Sequence, residues 1–423
     1  MTILPWLSSD GKKILAARVL RTFAYGSLSV VLAVYLAALG LDPIQIGAVF
    51  TAALVGSAVM TVGWSLVADR YGRRRTAMTM AVLMLLGGLL LAAGQGFAFV
   101  LAAVLTGTVS VTNSEVGIFQ TIEQAVLPQT APDSRRTWLF SLYNLVASVA
   151  LAAGALFAAS VGLFRSLGLE GADAYRPLFL LYALVGLAQI ALFAWLSDGV
   201  ERAKVEGERR FIGIHRSAGT VAKLSGLFAL DAFAGGLVAN ALVAYWFVLR
   251  WGFDVGQLAG VFSAVSLVQA ASFLAAGWLA HRIGLLNTMV FTHLPSNLLL
   301  ALVPIAPTAP LAVAVLTLRT SMSQMDVPTR QSYVMAIVDP DERTATAGIT
   351  NVARMAGTAV SPTLTGIAFA SAALGAPFVV AGALKIAYDL SMWLTFRAVR
   401  PPEEAARAGA GKAASDGVAG RVP

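Results

Sequence analysis

No cysteine occurs in the 423 residues, so disulfides, thiolate metal sites and cysteine nucleophiles are all excluded. Histidine is nearly as scarce, and His215, His281 and His293 lie too far apart in the chain to form a clustered ligand set, so no metal site is expected. No glycine loop ends in Gly-Lys-Ser or Gly-Lys-Thr, which removes an ATPase of the phosphate-loop kind. Paired His and Asp, or a Ser beside a base, are also missing, so no catalytic residues, no cofactor and no enzyme activity are expected. The largest deficit is in charge. Only 12% of residues are charged while 58% are hydrophobic, and the mean hydropathy of +0.76 is far above that of a soluble globular domain. Water is not the main solvent of this chain.

Apolar runs of roughly 20 residues recur throughout, each long enough to cross a hydrocarbon core about 30 Å thick as a helix. Their positions predict twelve spans, at about 19–39, 44–67, 76–95, 98–126, 138–161, 177–197, 222–248, 255–279, 286–305, 309–337, 345–369 and 374–396. The first run has no small-residue cleavage site and continues into further spans, so it reads as a retained helix. A net charge of +8 raises the question of nucleic acid, but the basic residues sit in short connectors between apolar runs, and topology accounts for them. Arg70, Arg73, Arg74, Arg75, Arg135, Arg136, Arg282 and Arg343 fall in connectors on one side, with Arg165, Arg176 and Arg250 on the other. Retention of Lys and Arg on the cytoplasmic side then places both termini in the cytoplasm, in a cell (inner) membrane. Trp138, Trp195, Trp251 and Trp393 near span ends read as interfacial anchors.

The stretch between Ser197 and Thr220 interrupts the pattern with Glu201, Arg202, Lys204, Glu206, Glu208, Arg209 and Arg210, as a solvated linker does. This gives an organisation of residues 1–197 as one six-helix bundle, 198–221 as a cytoplasmic linker and 222–398 as a second bundle. Residues 399–423, with Pro401, Pro402 and a run of Ala, Gly and charges, form a disordered cytoplasmic tail.

The halves carry an internal repeat. Gly40 to Phe50, GLDPIQIGAVF, matches Gly252 to Phe262, GFDVGQLAGVF, at an offset of 212, and the same offset takes Ala68, Asp69, Arg70 and Gly72 onto Ala280, His281, Arg282 and Gly284. At an offset of 207, Arg136, Thr137 and Asn144 fall on Arg343, Thr344 and Asn351, and Glu123 falls on Arg330. Duplication of a six-helix unit explains both offsets, with a small deletion between them.

On these residues the chain resembles the major facilitator superfamily, whose signature between helices two and three reads roughly G-x-L-A-D-R-x-G-R-R. Here it stands as Ser65-Leu66-Val67-Ala68-Asp69-Arg70-Tyr71-Gly72-Arg73-Arg74, with Ser65 in place of the usual Gly, and a degenerate copy runs from Gly277 to Gly284. The resemblance spans about residues 14 to 398. It implies an all-α integral membrane fold of twelve transmembrane helices in two pseudo-symmetric six-helix bundles. Physically, Gly72 lets a very short connector reverse, and Asp69 is placed to meet a helix amino terminus and neighbouring arginines. In the family this loop stabilises one access state, so Asp69, Arg70, Gly72 and Arg73, with Arg282 and Gly284 in the second copy, are expected to be conformational residues. Simple cytoplasmic retention of the arginines is the alternative reading.

A charge deep in hydrocarbon costs roughly 3 kcal/mol on insertion scales, so intramembrane ionisable groups are candidate sites. The resemblance directs attention to helices one, four, seven and ten, which line the family's central cavity; these hold Arg21, then Glu115 and Glu123, then Asp231, then Arg319, Asp326 and Arg330. Arg319, Ser323, Asp326 and Arg330 share one face of a continuous helix, either as a donor fork for an anion or as a closed ion-pair cluster. Thr106, Ser110, Asn113, Gln120 and Gln124 form a neutral stripe able to orient a polar solute. Glu115 is either a proton carrier or an ion partner, and Glu123 with Arg330 forms a possible gate between the halves. On the outer helices, Asn351, Arg354, Thr358 and Ser361 form a stripe, Lys385 and Asp389 an i, i+4 pair, and Pro295 beside His293 a local helix break.

The resulting expectation is a monomeric secondary transporter working by alternating access on a small-molecule substrate, with protons or another ion as the coupling partner. Arg21, Arg319 and Arg330 would hold an anionic or carboxylate-bearing solute, with Asn113, Gln120 and Ser323 orienting it. Glu115, Glu123, Asp231 or Asp326 would carry the proton. Efflux of drugs or amphipathic compounds is the alternative; the family's drug exporters often carry Gly-Pro in helix five, where this chain reads VASVALAAGALFAAS. A non-transporting receptor would need a long output domain, and both linker and tail are short.

Overall fold

The computed structural model describes residues 4–94, 96–110, 117–132, 136–201, 216–339 and 342–399. Asn113 and Glu115, the linker from 202 to 215 and the tail from 400 onward lie outside the described residues, as do the side chains of residues 65–70, Asp69 and Arg70 among them.

The described chain is helical through most of each span. In the first half run α1 (Ser9–Ala38), α2 (Pro43–Tyr71), α3 (Arg73–Ala93), α4 (Phe97–Leu105), α5 (Ile118–Val126), α6 (Arg136–Phe157), α7 (Ser160–Ser166) and α8 (Arg176–Ala194). The second half contains α9 (Ala218–Leu237), α10 (Asn240–Trp251), α11 (Val255–Ile283), α12 (Leu285–Leu302), α13 (Ala309–Ser323), α14 (Asp326–Ile337), α15 (Arg343–Ala370) and α16 (Ala376–Phe396). Nine spans among the described residues are long and apolar enough to cross a bilayer by themselves. The other three of the twelve are α4 with α5, α13 with α14, and α15, which are interrupted or polar. The fold is a twelve-helix integral membrane fold of two related six-helix bundles.

The repeated sequence has a local cause. Gly40 (φ +83°) and Gly252 (φ +66°) both turn the chain through the left-handed region that glycine adopts without a Cβ clash. Each is followed by the same capping box: Asp42 accepts from the Gln45 amide at 2.8 Å while the Asp42 amide donates to Gln45 Oε1 at 3.0 Å, and Asp254 with Gln257 repeats both bonds at the same distances. α2 and α11 therefore start by one device. Gly72 (φ +102°) and Gly284 (φ +90°) form the matching connectors at their other ends.

Two continuous faces expected from the sequence are broken. Helix four stops at Leu105, where Gly107 takes φ +71°, so Thr106, Ser110 and Gln120 do not lie on one helix. Helix ten breaks at Gln324 and Met325, because Pro328 has no N–H to return to the Gln324 carbonyl. Tighter bonds, Met325 N–H to Met322 O at 3.3 Å and Val327 N–H to Gln324 O at 3.4 Å, bridge the gap. Helix seven also breaks, between α9 and α10. The exposed carbonyls are met by side chains from neighbouring helices: Tyr182 Oη donates to Thr108 O at 2.7 Å, and Thr365 Oγ1 to Leu237 O at 2.8 Å. Conversely, α12 runs unbroken through Pro295, which deletes only one backbone bond, so no helix break occurs beside His293.

The buried apolar residues separate into three groups. One continuous core joins both halves on the side away from the chain termini, the far face, and includes Leu32, Tyr35 and Phe50 with Leu242, Trp246 and Phe262. Towards the terminal face each half has its own core, around Ile14, Phe119 and Phe193 in one and Phe228, Met289 and Tyr388 in the other. The halves are thus packed together at the far face, where α2 meets α15. There Thr51 Oγ1 and Thr363 Oγ1 are 2.8 Å apart, and a Cβ on Gly47 or Gly366 would stand 2.5 Å from Pro362 O or 2.3 Å from Pro43 O.

Candidate functional site

Below the far-face core, on its terminal side, lies a cavity of about 110 Å³ with walls from both halves. α1 contributes Arg18, Thr22 and Tyr25; the segment after α4 contributes Ser110; α5 and α6 contribute Gln120, Asn144 and Ser148. The second half contributes Gln269 and Phe273 of α11 and Gln324 at the break in helix ten. Amide side chains therefore face the cavity in two pairs, one from each half. Each amide offers two donors and an acceptor, so the wall suits a solute dense in hydroxyl, amide or carbonyl groups. Among the described lining residues Arg18 is the one formal charge, and no carboxylate is present. The volume is sufficient for several water molecules or a compact solute fragment.

Behind this wall, each half contains a closed polar cluster. In the first, Arg21 is completely buried; it donates to Glu123 Oε2 at 2.8 Å and Gln189 Oε1 at 2.9 Å, and lies 4.6 Å from the Phe119 ring centroid. Tyr143 donates to the same Glu123 oxygen at 2.6 Å, while Glu123 Oε1 is buried without a hydrogen-bond partner. In the second half Asp231 of α9 gathers three cations: Arg354 at 3.2 Å, Arg330 at 3.4 Å and Lys385. Arg330 also binds Asp326, one turn before it, at 2.6 Å. Asp389 does not pair with Lys385 along α16; it meets His293 of α12 at 2.8 Å and accepts from Asn297 at 2.8 Å. The i, i+4 pairing expected from sequence gives way because Asp231, on a neighbouring helix, is already the centre of the positive cluster.

The structure distributes the expected site residues unevenly. Gln120 lines the cavity, and Ser323 and Arg319 lie just before the helix-ten break, with Ser323 Oγ and Arg319 Nε buried and without hydrogen-bond partners. Arg21 and Arg330 face carboxylates of their own halves, and Glu123 and Arg330 do not meet, so no gate joins them in this state. In the connector motif, Gly72 caps α3, and the backbone amides of Arg73 and Arg74 donate to Glu201 at 2.7 and 3.1 Å. Arg282 stacks 4.4 Å from the Trp278 ring beside Gly284. The sequence reading missed Arg18, Asn144, Gln269 and Gln324 as cavity residues. Arg18 fell one residue outside the expected first span, and Asn144 carried a signal only as a member of the repeat.

Comparison with known proteins agrees with this architecture. A family profile described as Major Facilitator Superfamily matches residues 14–362. An uncharacterized membrane protein of Saccharomyces cerevisiae is 26% identical over 425 residues, covering 93% of this chain and 95% of that protein. Among solved structures, the nucleoside transporter NupG superposes with a TM-score of 0.70 at 13% identity, covering 92% of this chain and 99% of NupG. A bacterial homolog of the human lysosomal transporter Spinster, inward-facing and unoccupied, gives 0.67 at 14% identity, with 93% and 96% coverage. The human organic anion transporter MFSD10 gives 0.63 at 15% identity, with 90% and 99% coverage. At such identities these three share the fold.

Proposed function

The chain belongs to the major facilitator superfamily, a family of transporters, and we propose that it carries a small polar solute with at most one negative charge, by alternating access and in exchange for proton movement. The observation that carries this reading is the cavity: polar, walled by both halves, and lying below a core that joins the halves only at the far face. Rocking of one half against the other at that core opens the far face, and the same wall then meets the other solution. Arg18 supplies one counter-charge for a carboxylate, and the amides bind the remainder of the solute. A polar wall favours this class over amphipathic drugs. By the bias of Lys and Arg, the terminal face is cytoplasmic, the membrane is the cell membrane, and the state described is inward-facing. A monomer suffices, since both walls come from one chain.

The test uses proteoliposomes under an imposed proton gradient, with pools of hexoses, nucleosides, monocarboxylates and organic cations and an internal pH indicator. Solute-dependent proton movement with one of the first three pools is expected. Gln120→Ala or Gln269→Ala should raise the half-saturating concentration roughly tenfold, as loss of about one hydrogen bond to the solute predicts. Proton movement with cations alone, or none with any pool, would refute the reading.

A further inference from the structure

Resting on the proton-coupled reading above, we infer that the coupling proton is carried by the buried His293–Asp389 pair, on helices α12 and α16 outside the cavity wall. Both side chains are buried, and His293 Nδ1 lies 2.8 Å from Asp389 Oδ1. Two bare acceptors at that distance would repel, so a proton lies between them, and Nε2 is the nitrogen left to gain or lose one. Asn297 holds the other carboxylate oxygen at 2.8 Å, which fixes the pair's orientation.

The contrast with the other buried carboxylates is chemical. Asp231 faces Lys385, Arg354 and Arg330, Asp326 faces Arg330, and Glu123 faces Arg21. At each of these a permanent cation already offsets the carboxylate's charge, although Glu123 keeps one oxygen, Oε1, without a hydrogen-bond partner. Asp389 alone among these four has an imidazole as its close partner in place of a guanidinium or ammonium group. The elements packed against α12 also present Lys385 and Tyr388 on α16, Asp326 and Arg330 on α14, Arg319 on α13, and His281 and Arg282 at the end of α11. Asp231 on α9 and Arg354 on α15 complete the surroundings. In this cluster Arg319, Arg330, Arg354 and Lys385 face Asp231, Asp326 and Asp389, so the cations already exceed the carboxylates when His293 is neutral. Proton uptake from water forms one N–H bond at Nε2 and adds a positive charge next to Asp231. That charge competes with Lys385 and Arg354, which tie α9 to α16 and α15, and α15 is the helix that closes the far face against α2. Release breaks the same N–H bond and returns the proton to water.

Only three histidines occur, so His215→Gln with His281→Gln leaves His293 as the single imidazole for nitrogen NMR of histidine-labelled protein in lipid. Its ring nitrogens should report gain of a proton at Nε2 when the sample is acidified. Asp389→Asn should alter that response, because the partner at Nδ1 is lost. A ring whose nitrogen signals are the same at every pH tested, or respond identically with and without Asp389→Asn, overturns the inference without any transport assay. In the proteoliposomes described above, His293→Gln should abolish solute-dependent proton movement while leaving solute exchange at equal pH. Unchanged proton movement in His293→Gln overturns the pair but leaves coupling standing, and shifts attention to Glu123 with its unpartnered Oε1. Absence of proton movement in the unmodified protein with every pool overturns both.

Discussion

At the scale of single residues, partner choice decides function. Arg21 was legible in the sequence as a charge inside a span, and so was Glu123, but nothing local says that they meet across 102 residues at 2.8 Å. A closed pair of this kind positions helices and is a poor place to bind a solute. Removing one partner leaves a buried charge uncompensated, at roughly 3–5 kcal/mol, whereas replacing both by apolar groups of similar size restores much of the stability. Arg21→Met or Glu123→Met alone should therefore lower the thermal transition of the purified protein sharply, and the double variant should recover most of the loss. An additive double variant would show that the two side chains act independently. The same lesson applies to Lys385, whose spacing from Asp389 satisfies the helical rule while its ammonium group binds Asp231 on another helix. Sequence spacing names possible partners, and packing between helices selects among them.

At the scale of elements, hydropathy located nine of the spans outright because burial in lipid demands long apolar runs, and the three interrupted or polar ones stood between them. The capping residues after Gly40 and Gly252 were visible because they act within four residues of themselves. Breaks in helices four and seven were not legible: each is met by a side chain from elsewhere, Tyr182 or Thr365, that satisfies a freed carbonyl, while the break in helix ten is bridged by its own backbone. Pro295 and Pro328 look alike in sequence, yet only the second accompanies a break. Glycine contacts distinguish permanent from switching interfaces. A Cβ at Gly154 would lie 1.9 Å from Phe23 O, inside one half, whereas one at Gly366 would lie 2.3 Å from Pro43 O, across the contact between halves. Gly154→Val should therefore lower the thermal transition by an overpacking cost of about 1–3 kcal/mol. Gly366→Val should spare stability and instead favour separation at the far face. The absence of native cysteine makes this measurable, since Thr51→Cys should react faster with an impermeant thiol reagent when Gly366→Val is added. Equal rates would mean that the contact does not open.

At the scale of the whole molecule, one shared core and two separate ones describe two halves joined at the far face and separately packed towards the termini. The repeat made the two halves legible, because duplication leaves matching glycines and caps. The cavity was only partly legible: Gln120 was named, but Arg18, Gln269 and Gln324 converge only when the halves are placed together. The central claim is that the far-face contact is one of two states and not a permanent interface. The most direct measurement is a nitroxide distance distribution between Ile44→Cys and Ile367→Cys, both exposed and flanking the contact between α2 and α15. In lipid the account predicts a short-distance population together with a longer one, whose proportions change with pH and with the transported solute. A single short distance that stays the same under every condition would contradict alternating access in this protein.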